Sequence, residues 1–258
     1  MHSYMNTLWY LLLTDFKIFK RTIHDKIIDL AIWVATMVWV TAYLMPAFGL
    51  QLSYGAFMAA SLFASAGLFE QFSSAISLVS DFEGNQTISY YLTLPIPSWL
   101  VFVRNMIFFS CNTAMLSFFV LPLSKLIAWH HIDLSGIQPL KLVLIFIFFN
   151  MFYAAFTVWL ASMVSSMEKI GSIWMRFIYP LWFLGGFQYS LQVLYNYWPL
   201  LAYCTLLNPM IYVMEATRMA VLNQISLLNF WACLGMIFLF TIALGMHSIK
   251  RLKRRLDF

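Results

Sequence analysis

Six stretches of this chain, 27–45, 52–75, 100–121, 142–164, 173–194 and 230–248, are almost continuously apolar. Each is close to the roughly 20 residues that an α-helix needs to cross the hydrocarbon layer of a bilayer. Few features restrict a fold more. In lipid every backbone N–H and C=O must be satisfied within the protein, and for separate runs of this length the solution is a helix. Composition agrees: 62% of the 258 residues are hydrophobic and 10% are charged. Soluble domains run near half apolar and a quarter charged. The expected fold is an all-α integral membrane protein, a single domain over 1–258 with six transmembrane helices. No internal repeat or soluble domain interrupts it.

Positive charge sets the expected orientation. With the N-terminus inside, Lys17, Lys20, Arg21, Lys26, Arg104, Lys169, Arg176 and the tail residues Lys250, Arg251, Lys253, Arg254 and Arg255 fall on or near the cytoplasmic side. Only Lys125, Lys141 and Arg218 fall outside. Both termini are therefore expected in the cytoplasm. The net charge of +5 reads as an anchor on anionic lipid rather than a nucleic-acid surface. The apolar patch at residues 8–13 is short and runs into charges, so no cleavable signal is expected. Cys111, Cys204 and Cys233 lie far apart and form no CxxC pair, which points to neither a disulfide framework nor a metal site.

Three segments depart from the pattern of plain spans. In the first, 1–26, the residues Leu8, Trp9, Leu12, Phe16, Phe19 and Ile23 recur at helical spacing with Lys17, Lys20 and Arg21 mainly elsewhere on the wheel. This reads as an interfacial helix along the cytoplasmic surface. The second, 81–97, opens with Asp81 and Glu83, has an amphipathic middle and closes on Pro95 and Pro97. The orientation puts it in the cytoplasm, so its Asn85-Gln86-Thr87 sequon is a chance match. The third, 195–228, is apolar but broken by Pro199 and by Asn208-Pro209. It is expected to form re-entrant or interfacial helices on the outer face, where irregular backbone must be buried in protein or line a cavity.

Catalytic signatures are missing from the sequence. It has no GxxxxGK[ST], no GxSxG and no HExxH. His130-His131, with Asp133 nearby, is the one histidine pair, and a third ligand is not evident. Asp29, Arg104 and Arg176 lie near the starts of spans, where they can reach the headgroups. Glu70 lies 18 residues into the second span, roughly 27 Å of helix, and so near the cytoplasmic interface. The mid-membrane then holds almost no charge, whereas ion-coupled carriers use such charges for their relays. Energy is expected to arrive from another chain. Pro180 and Gly185-Gly186 in the fifth span mark a kink and a close helix approach.

Two of these segments carry a family resemblance. Glu83, Thr87 and Leu92-Thr93-Leu94-Pro95-Ile96-Pro97 resemble the acidic-to-proline loop after the second span of ABC-2 type permeases. The run Asn208-Pro209-Met210-Ile211-Tyr212-Val213-Met214-Glu215-Ala216-Thr217-Arg218 is similar to that family's NPxxYxxExxR stretch before the last span. One departure is Gln86, where the family often has Gly before the Thr. The resemblance implies the permease subunit of an ATP-driven exporter, not itself an enzyme. It would move an amphipathic or lipid-linked substrate across a bacterial cytoplasmic membrane, as a homodimer or heterodimer. ATP and Mg would reside on a separate ATP-binding cassette subunit. The coupling helix between spans two and three would meet that ATPase through Asp81, Glu83, Thr87, Leu92, Leu94, Pro95 and Pro97. Asp81 and Glu83 either cap that helix or pair with basic residues of the motor. Asn208, Pro209, Tyr212, Glu215 and Arg218 would belong to the outer re-entrant helices, with Glu215 and Arg218 paired at i, i+3. The competing expectations are a dimeric ion-coupled secondary carrier and a membrane-embedded lipid-modifying enzyme.

Overall fold

A computed structural model describes residues 2–84, 86–93, 97–164 and 166–255, and among them every regular element is helical. α1 (His2–Trp39) holds 38 residues without a Gly or Pro. At 1.5 Å per residue it is roughly 57 Å long, nearly twice the hydrocarbon thickness. The segment expected to form a separate surface helix thus continues unbroken into the first span. Its apolar stripe also has a protein partner: Leu8, Leu12 and Phe16 pack with Leu100 and Phe108. A π-helical turn (Val40–Leu44) leads to α2 (Met45–Ala47), with Pro46 in its first turn.

α3 (Tyr54–Glu83) is the central helix. Its first half is a run of small residues, Gly55, Ala56, Ala59, Ala60, Ser61, Ala64, Ser65, Ala66 and Gly67, all buried. Helices in lipid gain little from hydrophobicity towards one another, so close backbone approach and dispersion hold them. Gly67 shows how close: a Cβ there would collide with the Tyr153 ring, whose hydroxyl donates to the Ala64 carbonyl. The short helix α4 (Thr87–Thr93) precedes α5 (Ser98–Ile127), and α6 (Pro139–Met163) follows a turn.

α7 (Met167–Ile173), a π-helical turn (Trp174–Ile178) and α8 (Tyr179–Phe183) are consecutive pieces of 7, 5 and 5 residues. Together they make roughly 25 Å of helix. The apolar run 173–194, expected to be one span, is instead helical in these pieces from Met167 to Phe183, and it is not among the described stretches long and apolar enough to cross a membrane. The helix stops where Gly185 presses on Met210 and Gly186 takes a left-handed φ of +82°, a conformation open to glycine. Beyond it come α9 (Leu191–Tyr197), α10 (Pro199–Thr205), α11 (Pro209–Leu222) and α12 (Phe230–Arg255). Among the described residues five helical stretches are long and apolar enough to cross a membrane: Asn6–Ala47, Tyr54–Glu83, Trp99–Ile127, Pro139–Met163 and Phe230–Leu252.

Side-chain contacts fix the directions. α1 and α5 run parallel, with Phe16 on Phe108 near one end and the Tyr43 hydroxyl on the Ile127 carbonyl near the other. α3 and α6 also run parallel, Phe63 meeting Phe146 and Gly67 meeting Tyr153. So do α6 and α12: Lys141 lies 5.4 Å from the Phe230 ring at their starts, and Arg251 donates to the Ser162 carbonyl near their ends. The chain between Met163 and Phe230 must therefore travel from one end of the bundle to the other. α7 begins beside the end of α3, and α11 sits beside the start of α6, where the Gln138 amide donates to the Ala220 carbonyl.

Candidate functional site

The two acids of the 81–97 segment each hold a different helix. Asp81 accepts from the amides of Thr87 (3.0 Å) and Ile88 (2.9 Å) and so caps the start of α4. Gln86 adopts a left-handed φ of +51°, and its amide donates to the Asp81 carbonyl, which folds the chain back to bring this about. Glu83 instead accepts from the Met167 amide at 3.2 and 3.3 Å, one bond to each carboxylate oxygen. That joins the end of α3 to the start of α7. Capping of α4, weighed for both acids, falls to Asp81 alone, while Glu83 holds the start of α7 instead.

α4 has two faces. Ile88 is buried and Tyr91 half-buried in a cluster with Leu78, Val79, Val101 and Phe102, which locks the helix between α3 and α5. Thr87, Tyr90 and Thr93, spaced i, i+3, i+6, are exposed. Leu94 and Pro95 lie outside the described residues, as does the side chain of Leu92. Pro97 directly precedes α5.

Arg104 is buried rather than reaching the headgroups. Its guanidinium pairs with Asp15 of α1 and lies 4.5 Å from the Tyr91 ring of α4. One side chain thus ties α4 and α5 to the N-terminal part of α1. Near the middle of α3, Glu70 accepts from Lys26 of α1 and from Asn112 of α5 (2.7 Å for the latter), beside a cleft of about 330 Å³ that Asp29 also lines. Asp29 and Arg176 are exposed.

At the opposite end, α11 is buried from Pro209 to Val221. Asn208 caps it, accepting from the Met210 amide at 2.9 Å while its own amide donates to the Leu181 carbonyl at 2.7 Å. Pro209 occupies the first helical position, where its missing N–H costs nothing. The Tyr212 hydroxyl donates to the Leu206 carbonyl at 2.8 Å. Glu215 and Arg218 do pair, at 3.2 Å, and both are buried within the protein at about 1% exposure.

Arg218 also donates to the carbonyls of Gly186, Phe187 and Tyr189 and to the Ser61 hydroxyl, and lies 3.8 Å from the Phe57 ring. Glu215 accepts from the Leu191 amide at 2.9 Å and from the Ser226 hydroxyl. The pair therefore fastens α11, the turn after α8, the start of α9, α3 and the approach to α12 in one network. The motif residues were readable, but their partners were not. Ser61, Leu191 and Ser226 carry no sequence signal that separates them from any other serine or leucine.

The His130-His131 pair stands apart from these networks. His131 lies against the Tyr43 ring at 4.5 Å. Asp133 accepts from both the amide and the hydroxyl of Ser135, and these bonds, with Lys125 as the smaller influence, hold its carboxyl below the usual carboxylate range. Among the described residues no three His, Cys, Asp or Glu side chains converge as metal ligands would. Compared with known proteins, the chain matches no family model and no curated protein.

Proposed function

We propose that this chain is the membrane subunit of an ATP-driven exporter, an ABC-2 type permease that moves an amphipathic or lipid-linked substrate and is energised by a separate ATP-binding cassette subunit. The observation that carries this reading is α4: a short helix capped by Asp81, locked by Ile88 and Tyr91 between the ends of two long helices, and exposing Thr87, Tyr90 and Thr93. A rigid element of that kind, with one free face, suits the transfer of motion from a partner into the bundle. The buried ties around it extend the same logic. Force on α4 would reach α3 and α5 directly, α1 through Arg104 and Asp15, and α7 through Glu83.

On this reading α7 and α8 make the sixth crossing, and the parallel course of α6 and α12 supports it, because the chain has to return between them. Both termini then face the cytoplasm, in keeping with the basic tail. Two such subunits would enclose the path, and ATP and Mg would stay on the ATPase. The ion-coupled alternative rests on the Lys26, Glu70 and Asn112 cluster with its neighbouring cleft.

Co-expression with an ATP-binding cassette ATPase encoded beside it tests the reading, and the lack of any such neighbour would count against it. Tyr90→Ala and Tyr90→Glu, on the exposed face, should reduce the ATPase recovered with the purified permease and leave its thermal unfolding unchanged. Full recovery with both variants, or gradient-driven transport that proceeds without ATP, would overturn it.

A further inference from the structure

A cleft of about 760 Å³ lies between the last turns of α5, the turn over 128–138 and the first turns of α6. Apart from Lys125 and the indole of Trp129, every residue lining it is apolar. Phe63 of α3 and Leu121, both buried, form its floor, and Phe63 stacks on Phe146 at 5.8 Å. Phe118, Leu126, Trp129 and Val143, also in the lining, are each more than half exposed. The cleft thus opens at the flank of the bundle and is closed towards its interior. Lys125 lies two residues from the end of the stretch of α5 that can cross a membrane. From there to Phe118 the helix covers roughly 10 Å. The cleft therefore runs from headgroup depth into the hydrocarbon.

We infer that this cleft holds an acyl chain of one anionic phospholipid, with the lipid phosphate on Lys125. An empty cleft would cost its lining the dispersion contacts that hold apolar groups together in lipid. Water does not fill it, because a buried water needs polar partners that the floor lacks. The headgroup preference comes from Lys125. Its ammonium is fixed beside the turn by donation to the carbonyls of Trp129 (2.9 Å) and Ile132 (2.6 Å), and lies 5.3 Å from the Trp129 ring. Both acceptors are neutral. Asp133 is near enough to feel this charge, but among the described residues Lys125 forms no ion pair. One of its three donors is left, and a lysine so placed is a point contact for phosphate. A phosphodiester without an ammonium of its own answers the charge while its chain answers the apolar lining. A helix of a second copy suits the cleft less well, since it needs a face along much of the roughly 30 Å hydrocarbon core. The lipid is a resident of the flank rather than cargo, because the buried floor leaves no route from the cleft through the bundle. The inference rests only on the chain lying in a membrane, so its failure would leave the coupling role of α4 untouched, and failure of that role would leave the cleft untouched.

Native mass spectrometry of the purified full chain, titrated with dioleoyl phosphatidylglycerol and dioleoyl phosphatidylcholine, provides the test. The first phosphatidylglycerol is expected to bind about fivefold more tightly than the first phosphatidylcholine, the scale of one lysine against an anionic headgroup. Lys125→Gln should bring the two lipids to parity, and Lys125→Arg should keep the preference. Val143→Trp, at an exposed position of the rim, should fill the cleft with an unchanged melting temperature. It should weaken the first binding of both lipids by about tenfold, as a few methylenes are displaced. That variant leaves the Lys125 bonds to the turn intact, so it tests the site independently of them. Equal affinity for the two lipids, a preference that persists in Lys125→Gln, binding indifferent to Val143→Trp, or a stable dimer whose formation excludes the lipid would overturn the inference.

Discussion

Arg218 and Glu215 show what a buried charge requires of its surroundings. Neither has water to rely on, so each is met by several partners, and removing one leaves the other stranded. Arg218→Met should destabilise the protein by about 3–5 kcal/mol, and the double variant with Glu215→Gln should recover most of that loss. Reversible unfolding in mixed micelles would measure it, and a single variant as stable as wild type would discount the network. Asp81 poses a different question, since its carboxylate holds two amides of α4. Asp81→Ala should cost about 1–2 kcal/mol of local stability, visible as faster hydrogen exchange over 87–93, while Asp81→Asn should retain most of the protection because asparagine also caps. Equal exchange in all three would show that the cap does not hold α4. The identities of all three groups were readable in the sequence. Their number of partners was not, because it depends on how the chain folds back on itself: Asp81 is met by amides 6 and 7 residues on, and Arg218 by a serine 157 residues away.

At the scale of elements, close approach governs α3. Gly67 faces the Tyr153 ring with no room for a side chain, so Gly67→Leu should force α3 and α6 apart and cost about 1–3 kcal/mol. Steric-trap or thermal unfolding would register the loss, and a silent substitution would mean that α6 has freedom to move. The sequence announced α3 and α6 as apolar runs, and small residues along α3 hinted at a packing face. It misplaced α7 and α8 because hydropathy alone reads 173–194 as one run. The helix ends instead where Gly185 meets Met210, a residue 25 positions further on. The N-terminal helix was misread for a similar reason: an apolar stripe beside basic residues looks the same whether lipid or α5 covers it.

For the whole molecule, direction matters more than the number of spans. α1 and α5 point one way, and α3, α6 and α12 the other. With the basic tail inside, a single cysteine at Gln86 should react with a membrane-impermeant maleimide only from the cytoplasmic side, and one at Leu207 only from the outside. Labelling of Gln86 from the outside would reverse the orientation and remove α4 from any ATPase in the cytoplasm. The same geometry separates the two ends of the bundle functionally. Arg104, Asp81 and Glu83 knit one end, while Glu215 and Arg218 knit the other.

The amino-acid sequence by itself determined that the chain lies in a membrane as helices, since runs so long and uncharged cannot be hydrated or left as irregular backbone. It also marked the two short segments that interrupt those runs. Only the tertiary structure decided what the interruptions do. Whether Arg104 seeks headgroups or Asp15, and which groups surround Arg218, depend on contacts between residues remote in sequence. Local pattern carries burial and periodicity, whereas the partner of a charge is a property of the packed bundle.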